Sequence, residues 1–122
     1  MESIELAYKV SELIFDKKGY DVKILDLRTI SGIADYFVIC SADSDTHVRA
    51  ISDEVDKELR NEGIKAHGKE GLKGLNWALM DYFDVIVHIF KKDVRANYNL
   101  EKLWSDAPAI IVEDKSLMKQ TR

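Results

Sequence analysis

The run Asn76–Phe90, NWALMDYFDVIVHIF, constrains the fold more than any other part of the chain. Its side chains alternate in character, which argues for two strands joined by a tight turn. A two-residue loop at Phe83–Asp84 sorts them into two sets. Ala78, Met80, Tyr82, Val85, Val87 and Ile89 share one face; Trp77, Leu79, Asp81, Ile86, His88 and Phe90 share the other. The first is a plain core face. The second mixes large rings with an acid and an imidazole, which buried layers seldom hold and partner-binding surfaces often do. Phe83 is a poor fit for a turn position needing positive φ, so a four-residue loop is the alternative. An even loop length preserves both sets, whereas an odd one regroups them.

The rest of the chain supplies what such a hairpin needs to pack against. At 122 residues and 46% hydrophobic content it can bury one real core, so a single domain is expected. Charged residues make up 33%, with both signs interspersed and a net charge of −4. That balance argues against phosphate-backbone binding as the main source of affinity, and leaves room for a basic protein partner, which an acidic surface would attract. The single cysteine, Cys40, lies in an apolar run and points to a reducing compartment. No apolar run approaches membrane-spanning length, and the start MESIELAYKV has neither a basic segment nor a cleavage site. A cytoplasmic protein without a membrane partner is expected.

Met1–Lys18 reads as an amphipathic helix, with Leu6, Val10, Leu13 and Ile14 at helical spacing, Ser3 as its cap and Lys17–Lys18–Gly19 as its end. Val22–Arg28 reads as a strand. Tyr36–Ser41, apolar on both faces, reads as a central strand. Ser44–Glu62 reads as a second helix with Val48, Ile51, Val55 and Leu59 as its buried stripe and Gly63 at its C-cap. Lys65–Lys69 is a polar edge-strand candidate. Asp93–Asn97 and Leu100–Trp104 read as short helical turns, with Asn99 opening the second, and Ala109–Glu113 as a last strand after Pro108. The prediction is one α/β domain over residues 1–113, a mixed sheet of about five strands with helices packed on it, and a polar tail over 114–122.

Asp35–Ser41 (DYFVICS), Trp77–Tyr82 (WALMDY), Asp84–Phe90 (DVIVHIF), and Tyr98 with Leu100–Trp104 (LEKLW) and Asp106-Ala107-Pro108 together resemble the Iojap family, the ribosomal silencing factors. The similarity covers about residues 6 to 108, and ordered blocks are more specific than any single motif. Phe83 departs from the family, where many members carry glycine. The resemblance implies a nucleotidyltransferase-like fold in a protein that is not an enzyme. It implies binding to a protein of the large ribosomal subunit, number fourteen in its series, on the face that meets the small subunit. Blocking subunit joining would then restrain translation when nutrients are short. Mitochondrial relatives act in large-subunit assembly, which is the alternative role, and free members are often homodimers.

On that reading Trp77, Tyr82, Phe90, Tyr98 and Trp104 are candidate aromatic anchors, Leu79, Leu100 and Leu103 fill between them, and Asp81, Asp84 and Glu101 meet basic groups. Spacing alone favours Trp77 and Trp104 as core residues, since aromatics at regular spacing usually are, and Asp81 also fits a hairpin cap bonding turn amides. Lys69 and Lys73 are candidate contacts to ribosomal RNA, with solvated loop charge the commoner case. His88 reads as a hydrogen-bonded or interface histidine. Asp81 and His88 invite an acid–base reading, yet the sequence shows no nucleophile or substrate pocket beside them. His47, His67 and His88 have no metal-ligand spacing, so no metal and no cofactor are expected. Asp43-Ser44-Asp45 is what a magnesium-dependent nucleotidyltransferase would use, the second alternative. At the head of a helix these residues read better as caps, and the Gly-Ser phosphate loop of that enzyme class is absent.

Overall fold

A computed structural model describes residues 1–114; the tail expected over 114–122 falls almost wholly outside the described residues. The first helix, α1 (Ser3–Asp16), buries Leu6, Val10, Leu13 and Ile14, as their spacing predicts. Its cap is Glu2, not Ser3: the Glu2 backbone is extended, and its N–H donates to the Glu5 carboxylate at 3.2 Å. The Ser3 hydroxyl instead donates to Asp35 at 2.8 Å. After Lys18, in the left-handed region (φ 66°), the Gly19 N–H bonds the Ile14 carbonyl at 2.9 Å. A Cβ on Gly19 would collide with the Ile14 side chain, so this turn admits only glycine.

Strand β1 (Tyr20–Asp26) begins two residues earlier than the alternation suggests, with an irregularity between Tyr20 and Lys23 around Asp21 at φ 50°. Strand β2 (Tyr36–Ala42) is buried at every residue. Helix α2 (Asp45–Asn61) is capped by Ser44, whose hydroxyl accepts the His47 N–H, and buries Val48, Ile51, Val55 and Leu59. Gly63 follows at φ 81°. The polar edge strand is β3 (Gly68–Glu70), displaced from the expected Lys65–Lys69. The hairpin follows as β4 (Trp77–Asp81) and β5 (Val85–Lys91), then α3 (Lys92–Tyr98), α4 (Leu100–Leu103) and β6 (Ala109–Val112).

The strands form one mixed sheet in the order β3-β4-β5-β2-β1-β6. It has six strands rather than about five, because both short edge strands join it. Only β2 and β5 are parallel neighbours; every other pair is antiparallel. The central strands are apolar on both faces because both are covered. On one face Val38, Cys40, Met80, Val87 and Ile89 pack beneath α1 and α2 in the main core. Burial there pushes the Cys40 thiol up to about 12, which keeps it protonated. On the other face Leu25, Phe37, Ile39, Ile86 and Phe90 form a smaller core under α3 and α4.

Candidate protein-binding face

The register of the hairpin sets the second face. Trp77 pairs with Phe90, Leu79 with His88 and Asp81 with Ile86, so the mixed set predicted from alternation stands on one surface. The loop is the two-residue one: the Tyr82 N–H bonds the Val85 carbonyl at 2.9 Å, and Phe83 takes the left-handed conformation at φ 66°. Asp81 caps it, accepting the Phe83 N–H at 2.8 Å. Behind Trp77, Gly71 turns at φ 80°, and a Cβ there would run into the Trp77 carbonyl.

A line of rings crosses this face. Tyr98 leans on Trp77 at 4.7 Å between centroids, Trp77 stacks on Phe90 at 4.9 Å, Phe37 meets His88 edge-on at 4.5 Å, and Trp104 meets Phe37 edge-on at 5.7 Å. The Trp77 indole N–H donates to His88 Nδ1 at 3.0 Å. The ring proton of His88 therefore sits on Nε2, which is buried and has no hydrogen-bond partner among the described residues. Burial pulls the His88 pKa down to about 4, so the imidazole is neutral at pH 7 and free to accept that bond. Trp77 is thus held by a ring below it, a ring beside it and a fixed acceptor.

An ion-pair network ties the short helices to the sheet. Glu101 accepts from Arg95 at 2.8 Å and from Lys23 at 2.7 Å. Arg95 also donates to the Ser41 hydroxyl at 2.8 Å and to the Asp21 carbonyl at 2.7 Å. The bonds from Arg95 and then Lys23 hold Glu101 at about 2, against the opposing effect of burial. Nothing local in the sequence marks Arg95 and Lys23: Arg95 and Glu101 are six positions apart, which is no helical neighbour spacing.

The expected site residues divide by depth. Tyr98 and Leu103 are 58% and 76% exposed and Asp84 is exposed, while Trp77, Leu79, Asp81, Leu100, Glu101 and Trp104 are half-buried. Phe90 and His88 lie beneath them, 0% and 3% exposed, and support the surface instead of presenting one. Tyr82 belongs to the other face, as its alternation requires: it is buried in the main core, its hydroxyl has no hydrogen-bond partner among the described residues, and burial raises its pKa. It cannot join the anchors. Glu101 faces Arg95 and Lys23, its charge already matched within the chain. Lys69 pairs with Asp56 at 3.0 Å, and Lys73 is exposed.

Asp43 and Asp45 sit at the carboxyl ends of the parallel strands β2 and β5, beside an open cleft of about 390 Å³ that Lys91, Lys92 and Asp93 also line. Each already has a structural partner. Asp43 accepts the Tyr20 hydroxyl at 2.8 Å and its N–H bonds His47 Nδ1 at 2.9 Å; Asp45 pairs with Lys91 at 2.9 Å. Among the described residues no group of three or more His, Cys, Asp or Glu is placed to hold a metal ion, and no helix is long and apolar enough to cross a membrane.

A family model described as "Ribosomal silencing factor during starvation" matches residues 1–122. The ribosomal silencing factor RsfS of Halalkalibacterium halodurans is 43% identical over 113 residues, 93% of this chain and 97% of that protein. The Bacillus subtilis protein of the same name is 47% identical over 93 residues, 76% of this chain and 79% of its own. The chloroplastic protein Iojap of Zea mays is 31% identical over 112 residues, 89% of this chain and 47% of that protein. A crystal structure of a Chromobacterium violaceum protein superposes with a TM-score of 0.83 at 29% identity, covering 93% of this chain and 95% of that one. One from Bacillus halodurans gives 0.75 at 39% identity, covering 89% and 96%.

Proposed function

We propose, for a chain that belongs to the ribosomal silencing factor family, that the face of Trp77, Leu79, Tyr98, Leu103 and Trp104 docks on a protein of the large ribosomal subunit, number fourteen in its series, and blocks joining of the small subunit. The observation that carries this reading is the fixed, half-buried indole of Trp77, stacked on Phe90, flanked by the tilted ring of Tyr98 and bonded to His88. A rigid aromatic with little rotamer freedom left to lose is what a binding anchor requires. Asp81 and Asp84 lie at the same end, and no ion pair holds either of them among the described residues. They suit a basic partner.

The mechanism is steric. A body roughly 35 Å across cannot fit in a closed contact between subunits, so one anchored copy prevents closure without any bond being made or broken. A patch of about 800 Å² on each partner suffices for specific docking. In the free protein the exposed Leu103 and Tyr98 favour pairing with a second copy through the same face, so that docking and dimerisation compete. Equal large-subunit affinity for a covalently locked dimer would count against that competition.

The direct experiment mixes the purified protein with separated large and small subunits, follows sedimentation, and measures subunit rejoining by light scattering. The protein is expected to travel with the large subunit and to stop rejoining. Trp77→Ala is expected to weaken this by about thirtyfold or more, since one buried aromatic anchor contributes about 2 kcal/mol or more. Retention on the small subunit alone, or unchanged rejoining at saturation, would overturn the reading.

A further inference from the structure

Three large apolar side chains stand exposed at the hairpin-turn end of the sheet: Phe83 at 65%, Ile33 at 59% and Ile30 at 42%. Phe83 is the more telling. A bulky residue at φ 66° carries backbone strain that glycine would avoid, and here the strain goes with a phenyl ring held out in water, beside His67 at 4.2 Å between centroids. Ile30 and Ile33 lie on a loop that is firmly built. The Leu27 N–H bonds the Asp35 carbonyl at 2.8 Å, the Ile30 N–H bonds the Leu27 carbonyl at 3.2 Å, and the Ile33 N–H bonds the Ser31 hydroxyl at 3.1 Å. The far end of the loop is fastened to the hairpin turn, where the Asp84 carbonyl accepts both the Asp35 and Tyr36 N–H groups at 2.8 and 3.0 Å.

We propose that the docking surface continues past the hairpin turn, with Phe83 and Ile33 as its outer apolar contacts, and that the same basic ribosomal protein covers them. This rests on the reading given under Proposed function. Continuity comes through the second core, where Ala34 and Leu27 of the loop join Ile86, Trp104 and Leu79 of the docking face. Charge points to the occupant: Asp81 and Asp84 flank Phe83 with no ion-pair partner among the described residues, whereas the nearby cation Arg28 is spent on Asp26 at 2.8 Å. An acidic rim around exposed apolar groups fits a basic protein and repels RNA phosphate.

Phe83→Gly and Ile33→Ser test it, with affinity measured on salt-washed large subunits and on the isolated ribosomal protein, and Trp77→Ala as the control. Phe83→Gly removes the backbone strain, so its melting temperature is expected to stay level or rise while affinity falls by about tenfold. Ile33→Ser is expected to lose affinity similarly with its fold intact. A merely structural role for Phe83 would not separate stability from binding in this way. If both variants bind as wild type while Trp77→Ala has lost binding, the extension is wrong and the docking face stands. If Trp77→Ala itself binds as wild type, the underlying reading falls. Loss on whole subunits but not on the isolated protein would make RNA the occupant, and a change in self-association alone would make it a second copy; either outcome overturns the proposal.

Discussion

Helices α1 and α2 press a buried residue into the sheet at almost every turn, whereas α3 and α4 bury none over the opposite face. The first pair closes its face mainly by hydrophobic burial, with ion pairs such as Lys69–Asp56 and Lys91–Asp45 at its edge, and the second is fastened by Arg95, Glu101 and Lys23 at its margin. Between those fastenings Trp77, Leu79 and Trp104 are left half-covered. A sheet of this size cannot hold its fold with two such faces, and it has little use for recognition with two of the other kind. On the proposed reading, stability and binding lie on opposite sides of one layer, so substitutions on the two sides are expected to have different signatures.

The largest expected effect tests the sealed side. Leu59→Ala removes a fully buried side chain beneath α2 and is expected to cost about 2–5 kcal/mol in urea unfolding, since the surrounding helices cannot collapse into the void. The folded fraction should bind large subunits as before. On the open side Leu103→Ala should leave stability within about 0.5 kcal/mol while weakening binding. A stability loss at Leu103 matching that at Leu59 would erase the distinction.

Acid separates the two supports of the open face. His88 is held at about 4 when folded and returns toward its ordinary 6.5 when unfolded, so the unfolded chain takes up a proton first. Its contribution is whole above about pH 6.5 and is lost as pH falls toward 4, up to about 3 kcal/mol, with the Trp77 bond broken at the end. Glu101 also has a depressed folded pKa, about 2 against 4.5. Its contribution is present above pH 4.5 and fades between there and 2. His88→Gln, whose amide oxygen can still accept the indole N–H, should remove the upper window from a pH titration of stability and leave the lower one. Glu101→Gln should do the reverse, costing about 1–3 kcal/mol at pH 7 because Arg95 keeps its burial without its charge partner. A single window surviving in both variants would mean the two supports are not separate.

How much of this was legible in the chain follows from the range over which each feature is written. The hairpin is local: a period of two fixes which side chains share a face, and Asp81 beside a tight turn announces its own cap. The α2 boundaries were equally plain, since Ser44 and Gly63 bracket the apolar stripe. At Tyr82 two local signals conflict: aromatic character suggests an anchor, whereas alternation puts the residue with Met80 and Val87, and the pleat decides where the ring lies. Phe90 and His88 were read as surface because nothing in β5 itself says that α3 and Trp77 will cover them. The Arg95–Glu101–Lys23 network spans 78 residues at its widest, and no pattern in one sequence joins such distant charges. Strand β3, without an apolar residue, offered no signal for its register.

The smallest expected effect lies at the hairpin turn, where the two functions meet in one residue. Asp81 spends one carboxylate oxygen on the Phe83 N–H, and among the described residues no ion pair holds its charge. Asp81→Asn keeps an acceptor for the turn, so stability should change by no more than about 0.5 kcal/mol, whereas Asp81→Ala also gives up the bond and about 1 kcal/mol. Both remove the same charge. If Asp81 steers a basic partner, both variants should slow association with large subunits by a similar small factor at low salt, and the difference from wild type should vanish at high salt. An association rate that followed stability, falling for Ala but not for Asn, would assign Asp81 to the turn alone and leave recognition on this face to its rings.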